Sequence, residues 1–359
     1  MNFSHVHLYV DDAVKWQRWF VDLLGFVPAR KRQAIPFLNQ PQTQTLAVSA
    51  GRTCFVLSSP LGVDSPAAQY LQRHPPGVAD LAFYVDSLDE VLASALAEGA
   101  KRSSSVTTAV MDDVPCRWVR ISGWGDLCHT LIETRYPTPP PEVSQQKAPH
   151  ISAMDHAVLN VPQGEMATAT SWYEAAFNLR RHQAFTIQTE HSALYSQVLK
   201  HPKGDLQLPI NEPTSPTSQI QEFLDVNRGA GIQHIALQTS DIVAVVRRLR
   251  QQGLAFLTVP ESYYETLPQR AGFSLSSAQQ QAIAEQQILV DWQAGQPQTM
   301  LFQTFTRPIF DEPTFFFELI QRQTYDLRGV PQYATGFGEG NFQALFEAME
   351  REQMQRGSL

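Results

Sequence analysis

The sequence predicts an α+β protein of two domains, each a pair of similar modules whose strands curl into a half-open barrel, with a C-terminal helix covering the second barrel. Three observations predict it: a strand–helix–strand unit written about four times, a Pro-rich interruption near mid-chain, and an amphipathic run at the end. At 359 residues the chain also exceeds one ordinary core, so length alone points to about two domains.

His5 to Val10 alternates like a strand. Asp11 and Asp12 can cap a helix running through Leu24, and Gly25 ends it before a second strand begins at Phe26. The same grammar returns at His156 to Val161, a strand followed by a helix containing Trp172 and Tyr173, with Asn178 standing where Gly25 stood. Trp19 and Phe20 fall at the matching points of the earlier helix. Each half carries a second, weaker pair: Leu81 to Val85 before a helix in SLDEVLASALAEGA, and His234 to Leu237 before one in DIVAVVRRLRQQGL. Tyr136 to His150, rich in proline and without an apolar period, separates an N-terminal domain (1–148) from a C-terminal domain (149–359). A strand, a helix and a run of strands suit a mixed sheet that curls with its helix outside. Two such units side by side would close a half-barrel whose concave face can hold a metal.

Composition narrows the function. Hydrophobic residues make up 43% and charged residues 17%, the balance of a compact globular protein. A net charge of -8 and the lack of any Lys/Arg cluster leave no footprint for a phosphate backbone, so nucleic acid is excluded as a partner. No stretch of about 18 apolar residues occurs and the start has no basic, then apolar, leader, so neither a membrane partner nor export is expected, and the reading is cytoplasmic. Cys54, Cys116 and Cys128 show no C-x-x-C spacing, which predicts reduced thiols rather than a disulfide framework or a thiolate metal site.

The candidate metal ligands come from the repeat. His156 opens the first strand of the third module and His234, 78 residues later, that of the fourth. Glu318 lies within Phe315-Phe316-Phe317-Glu318-Leu319-Ile320, an apolar strand in which a carboxylate is costly to bury without a cation beside it. Two imidazoles and one carboxylate occupy one face of an octahedron and leave the opposite positions open, the arrangement typical of iron(II) oxygenases, whereas zinc more often keeps a tetrahedral site. One Fe(II) per chain is expected. His7, His74, His129, His150, His182, His191 and His201 lack this symmetry and are expected to be structural or exposed. Overlaying the halves puts His5 where His156 lies, Leu81 where His234 lies, and Thr130 or a neighbour where Glu318 lies. The first half should therefore be a metal-free, structural half, with self-association into a dimer or tetramer expected.

At these residues the chain resembles the 4-hydroxyphenylpyruvate dioxygenases of the vicinal oxygen chelate superfamily, whose modules are βαβββ. The resemblance rests on MDHAVLNVP around His156, LQLPINEP at 206–213, SQIQEFLDVNRGAGIQHIAL through His234, ILVDWQAGQPQTMLFQTFTRP, PTFFFELIQR around Glu318 and GFGEGNFQALFEAMERE. It spans most of the second half, and the first half follows the family in layout more than in wording.

The resemblance implies oxidative decarboxylation of 4-hydroxyphenylpyruvate, a small aromatic 2-oxo acid, by O2 to homogentisate and CO2, with ring hydroxylation and side-chain migration. Homogentisate feeds tyrosine catabolism or plastoquinone and tocopherol synthesis. The substrate's own 2-oxo acid supplies electrons, so no nicotinamide fold is needed, and no Gly-rich fingerprint of one is present. By the same resemblance Ser196, Pro209, Asn211, Gln219, Gln233 and Gln303 line the substrate pocket, with Asn211, Gln233 and Gln303 nearest the chemistry. Phe305, Phe316, Phe337 and Phe342 surround the ring. After the glycines of GFGEGNF, Phe342, Leu345, Phe346 and Met349 keep i, i+3, i+4, i+7 spacing, an amphipathic helix that the resemblance places over the mouth of the site. Other readings are 4-hydroxymandelate synthase, which oxidises the benzylic carbon of the same substrate, a non-catalytic binding protein of the superfamily, and a glyoxalase-like isomerase, which would want a fourth protein ligand.

Overall fold

The computed structural model describes residues 1–29, 40–111, 114–134, 151–189, 192–293, 296–327 and 330–358. The expected linker Tyr136 to His150, with its boundary at 148, lies outside them, as do His150 and His191.

The first half forms one eight-stranded sheet: β1 (Asn2–Tyr9), β2 (Val27–Pro28), β3 (Thr43–Ala50), β4 (Thr53–Pro60), β5 (Gly77–Val85), β6 (Thr107–Met111), β7 (Val114–Ser122) and β8 (Cys128–Thr134). Their spatial order is β2-β3-β4-β1-β5-β8-β7-β6. The second half repeats it with β9 (Ile151–Asn160), β10 (Arg180–Gln188), β11 (Ala193–Lys200), β12 (Gln207–Pro213), β13 (Gly231–Thr239), β14 (Leu289–Gln293), β15 (Gln296–Phe305) and β16 (Phe316–Arg322), in the order β10-β11-β12-β9-β13-β16-β15-β14. Helices α1 (Ala13–Asp22), α2 (Pro66–Arg73) and α3 (Leu88–Ala97) have their counterparts in α4 (Met166–Phe177), α5 (Gln219–Asn227) and α6 (Ile242–Gln251). The second half adds α7 (Glu261–Thr266), α8 (Ser277–Glu285), a hairpin of β17 (Thr324–Leu327) and β18 (Val330–Tyr333), and α9 (Glu339–Arg356).

The helices start and stop where their side chains dictate. Asp12 caps α1 by accepting from the amides of Val14 (2.8 Å) and Lys15 (3.1 Å), and Asp241 caps α6 through Ala244 (3.0 Å). Gly25 and Asn178 end α1 and α4 with φ of +74° and +54°, a left-handed conformation that favours glycine and tolerates asparagine. Among the described residues no helix is long and apolar enough to cross a membrane.

Register fixes which residues of the halves are equivalent. In β1–β5, His5 faces Ala82 and His7 faces Asp80; in β9–β13, His156 faces Ala236 and Val158 faces His234. Bulges interrupt both pairs at matching places. Asp80 pairs with Cys128 as His234 pairs with Phe316, which makes Thr130 the counterpart of Glu318. His5 is thus equivalent to His156, but His234 is matched by Asp80 and not by Leu81 as the sequence overlay has it. Leu81 is the counterpart of Ile235, one residue on and therefore on the opposite face.

The halves pack against each other through one contact used twice. Phe317, on the outer face of β16, lies 5.9 Å from Phe20 and 6.4 Å from Trp19 of α1. Its counterpart His129, on the outer face of β8, meets Phe177 at 5.1 Å and Trp172 at 6.3 Å, and its Nε2 lies 3.0 Å from the Tyr173 hydroxyl of α4. Each half lends its first helix to the other's sheet, and one apolar core runs through both.

Two outcomes follow from this interface. Truncating the fully buried Phe317 to alanine is expected to cost about 3–5 kcal/mol, read by chemical denaturation. Burial holds His129 neutral, pushing its pKa from 6.5 down to about 4 against a small opposing effect of the Leu81 carbonyl. Below pH 6.5 the unfolded chain takes a proton that the folded chain refuses. The stabilisation from this group is therefore intact above pH 6.5 and lost as pH falls toward 4, at about 1.4 kcal/mol per unit. Urea unfolding at pH 7.5 and pH 5 should show His129→Gln losing about 2 kcal/mol less than the unchanged protein.

Candidate metal centre

His156, His234 and Glu318 project from the three adjacent central strands β9, β13 and β16. His156, Ala236 and Glu318 lie in one row across the sheet, and His234 sits two residues from Ala236, on the same face. All three are buried, at 3%, 8% and 2% exposure. Glu318 Oε2 lies 3.2 Å from His156 Nε2 and 3.5 Å from His234 Nε2, and the three potential ligand atoms all fall within 4.8 Å of one another. Bonds of about 2.1 Å meeting near a right angle put cis ligands about 3 Å apart, so the spacing suits one ion.

The electrostatics agree. Burial alone would raise the pKa of Glu318, but the two imidazoles hold it down to about 2. Burial lowers His234, with His156 adding to it and Glu318 opposing. His156 is also opposed by burial, yet the Glu318 and Asp155 carboxylates lift it to about 9. Without a metal this cluster balances its carboxylates by keeping a proton on His156. A divalent ion held by these three residues would take the place of that proton, because imidazole ligates in its neutral form. The donor set therefore fits a divalent metal.

Each candidate ligand but one is braced from behind. Asp155 is the extra residue of the bulge beside His156, which turns its side chain toward the neighbouring ring instead of away from it. Asp155 Oδ1 accepts from His156 Nδ1 (2.9 Å), leaving Nε2 for the metal, and Arg322 forks onto the same carboxylate with two bonds of 2.7 Å. Gln303 Nε2 donates to Glu318 Oε1 (2.9 Å) and to the Phe337 carbonyl (2.9 Å), while its Oε1 accepts from Asn341 (2.9 Å). The exception is His234, whose Nδ1 is buried with no partner; its ring stacks on Phe316 at 4.8 Å.

The cluster opens into a cavity. Of the residues expected there, Ser196, Pro209, Asn211, Gln219, Gln233, Phe305, Phe316, Phe337 and Phe342 line it together with the three candidate ligands. Gln303 does not. It sits behind Glu318 with both ends of its amide engaged, so its contact is with the ligand and with α9. Sequence reasoning did not single out Phe185, Ile187, Leu194 and Ile220, which complete the apolar wall; strand and helix core positions carry no mark of a cavity. Asp155 and Arg322 were missed too, although a charged pair flanking two proposed ligands in otherwise apolar strands was a usable signal. Among the described residues no Lys or Arg lines the cavity, and Ser196 Oγ and Gln219 Oε1, on two residues that do line it, are buried without a partner. Such groups cost about 1–3 kcal/mol each until a ligand satisfies them.

Helix α9 closes this cavity with Phe342, Leu345, Phe346 and Met349, the residues of the expected amphipathic stripe. At its start Gly338 has φ +79°, and a Cβ there would stand 1.8 Å from Gln303 Oε1. Glycine is therefore required for the helix to approach Gln303.

The equivalent place in the first half is built differently. Asp80, the counterpart of His234, accepts from Thr130 N (3.0 Å) and Thr130 Oγ1 (2.8 Å) and is ion-paired with Arg120 Nε at 2.8 Å. Arg120 is the counterpart of Phe305, since each pairs with the residue equivalent to Glu318. A guanidinium supplies there the positive charge that an ion would bring.

The remaining histidines serve packing or the surface. His7 meets Ser58 (2.8 Å), His74 bridges the Asn227 carbonyl and Asp126, His201 meets the N-terminal amine, and His182 is exposed. Cys116 is buried, Cys54 and Cys128 are half-buried, and all three are free thiols.

Residues 153–271 and 4–114 each match the Glyoxalase/Bleomycin resistance protein/Dioxygenase superfamily. The chain is 34% identical to 4-hydroxyphenylpyruvate dioxygenase of Caenorhabditis briggsae, across 99% of this chain and 93% of the relative. It is 36% identical to the protein of that name from Aspergillus fumigatus, across 99% and 94%. Among solved structures, a triple variant of 4-hydroxymandelate synthase from Streptomyces coelicolor aligns with a TM-score of 0.81 at 28% identity, covering 98% of both chains.

Anaerobic titration with Fe(II) against a chromophoric chelator is expected to give one site per chain. Loss of that site is expected in His156→Ala, His234→Ala and Glu318→Ala, and full retention in His5→Ala. Retained affinity in any of the first three would remove that residue from the ligand set.

Proposed function

The chain belongs to the 4-hydroxyphenylpyruvate dioxygenase family, and on that footing we propose that it is a non-haem iron(II) dioxygenase converting 4-hydroxyphenylpyruvate and O2 to homogentisate and CO2. The observation that carries this reading is the buried His156–His234–Glu318 cluster at the floor of an apolar cavity that, among the described residues, no Lys or Arg lines.

That combination supports an organic acid as substrate. An organic acid entering this cavity brings a carboxylate that no Lys or Arg is there to neutralise, and burying it uncompensated is prohibitive. Two neutral imidazoles and one carboxylate around a divalent ion leave one net positive charge, which a monoanion cancels. Bound iron(II) would supply the open positions at which a 2-oxo acid chelates and O2 is activated.

The chain's own residues do the rest. The Asp155 carboxylate holds the proton of His156 on Nδ1, keeping Nε2 as a lone-pair donor. Gln303 fixes Glu318 Oε1, so that Oε2 remains directed at the cluster. Phe305, Phe316 and Phe337 confine a flat ring beside the candidate ligands. Ser196, Gln219, Asn211 and Gln233 offer neutral hydrogen-bonding groups to the polar ends of the substrate without adding a charge that competes with the metal. Helix α9 excludes water from the reacting groups.

The similarity to 4-hydroxymandelate synthase keeps that enzyme as the second reading, because it shares this chain's whole architecture. The two differ in which carbon is oxygenated. Addition of 4-hydroxyphenylpyruvate to the iron(II)-loaded protein should trigger oxygen uptake, and chromatography should identify homogentisate. A 4-hydroxymandelate peak would select the second reading, and no oxygen uptake would leave a binding protein. Because Ser196 Oγ and Gln219 Oε1 await partners, Ser196→Ala and Gln219→Leu should each raise KM about three- to ten-fold with Fe(II) affinity unchanged.

A further inference from the structure

Arg322 lies at the end of β16, four residues beyond Glu318, with its side chain 8% exposed. Its Nε and one terminal nitrogen fork onto Asp155, the residue that orients His156. Its other terminal nitrogen donates twice more, to the carbonyls of Ala334 (3.1 Å) and Gly336 (2.8 Å). Those carbonyls belong to the segment that leads into α9. Between them and the helix, Phe337 packs its ring 5.3 Å from His156 and 5.9 Å from the Arg322 guanidinium. One side chain thus spends all four of these hydrogen bonds on joining the support of a candidate ligand to the hinge of the helix over the cavity.

The first half is an internal control for this arrangement. It keeps the bulge, with Ser4 in the place of Asp155 and its hydroxyl 3.2 Å from His5 Nδ1. Register puts Thr134 in the place of Arg322, since Thr134 pairs with Cys116 as Arg322 pairs with Leu301. Where the candidate triad is incomplete, both members of the charged pair are absent, although the strands that would carry them are intact. A pair needed only to hold the sheet together would have been as useful in one half as in the other.

We propose that Arg322 is a positioning residue that couples metal binding at His156 to closure of α9. The proposal rests on the metal reading above and not on the identity of the substrate. With Nε2 held by a metal, the His156 imidazole would keep its Nδ1–Asp155 bond, the fork would hold Arg322 in place, and Arg322 would present its remaining N–H groups to the Ala334 and Gly336 carbonyls. Coupling of this kind is reciprocal: a closed helix favours the metal by the factor with which the metal favours closure.

The test uses full-length protein without substrate. Fe(II) affinity is measured anaerobically by chelator competition, and amide hydrogen exchange is followed over residues 339–356 with and without saturating Fe(II). In the unchanged protein Fe(II) should slow exchange in this helix. Arg322→Lys keeps the buried positive charge but lacks the planar fork that reaches a carboxylate and two carbonyls together. It should weaken Fe(II) binding on the order of ten-fold, and at saturating Fe(II) the helix should no longer respond. Unchanged affinity would overturn the proposal. So would a lowered unfolding midpoint with the helix still responding in full, which is the pattern of a merely structural residue. If Arg322→Lys does not fold, Asp155→Asn serves: it keeps an acceptor for His156 but halves the fork, so a weakened metal and a damped helix response support coupling, and unchanged values refute it. Oxygen uptake with 4-hydroxyphenylpyruvate, measured separately, tells failure of the reaction from failure of the coupling.

Discussion

A carboxylate with 2% exposure in the middle of a curled sheet has to be matched by positive charge, and much of the second half is arranged around that need. Glu318 cannot be hydrated, and its neighbours along β16 are Phe316, Phe317 and Leu319. His156, raised by the carboxylates beside it, supplies the match from β9, and His234 reaches Glu318 from the adjoining β13. Asp155 and Arg322 then repeat the problem one layer out, as a second buried acid with its own base. Nothing in this nest of charges is stable by itself, so each member depends on the geometry of the next.

The strand that carries Glu318 also joins the halves. Alternation along β16 points Glu318 at the cavity and Phe317 at α1 of the first half. The position of a candidate metal ligand is therefore set from both sides: by Gln303 and the imidazoles within, and by the Trp19–Phe20 face of the other half without. This gives the first half a role in the site that requires no ligand from it. Its helix α1 is a wall against which the sheet of the second half is held, and α4 returns the same service at His129.

Much of this was legible in the chain. The repeat was visible because caps and breakers such as Asp12, Gly25 and Asn178 act locally, on backbone groups a few residues away. His156, His234 and Glu318 stood out because the repeat placed two of them and burial made the third costly. Register was harder. Matching His234 to Leu81 was an error of one residue: the apolar runs at 81–85 and 234–237 look alike in sequence, and only the pairing of β5 and β13 with their neighbours fixes which positions are equivalent. The place of Gln303 was not legible either: whether an amide meets a substrate or a ligand's far oxygen depends on which side of Glu318 it lies, and strand alternation alone leaves it on the same face. Arg322 looked like the polar end of a strand, since its partners are a bulge residue 167 positions away and carbonyls of a loop.

Arg120 and the metal site answer one demand in two ways, and the ways differ in origin. Arg120 is written into the chain, so the first half has its buried positive charge from the moment it is made. In the second half the match rests on an exchangeable proton at His156, a place that a divalent ion would take. The charge balance of the first half is thus independent of any metal, and the Trp19–Phe20 face that meets β16 is built without one. A shortage of metal would then fall on the cavity and the helix over it, not on the face that holds β16 in place.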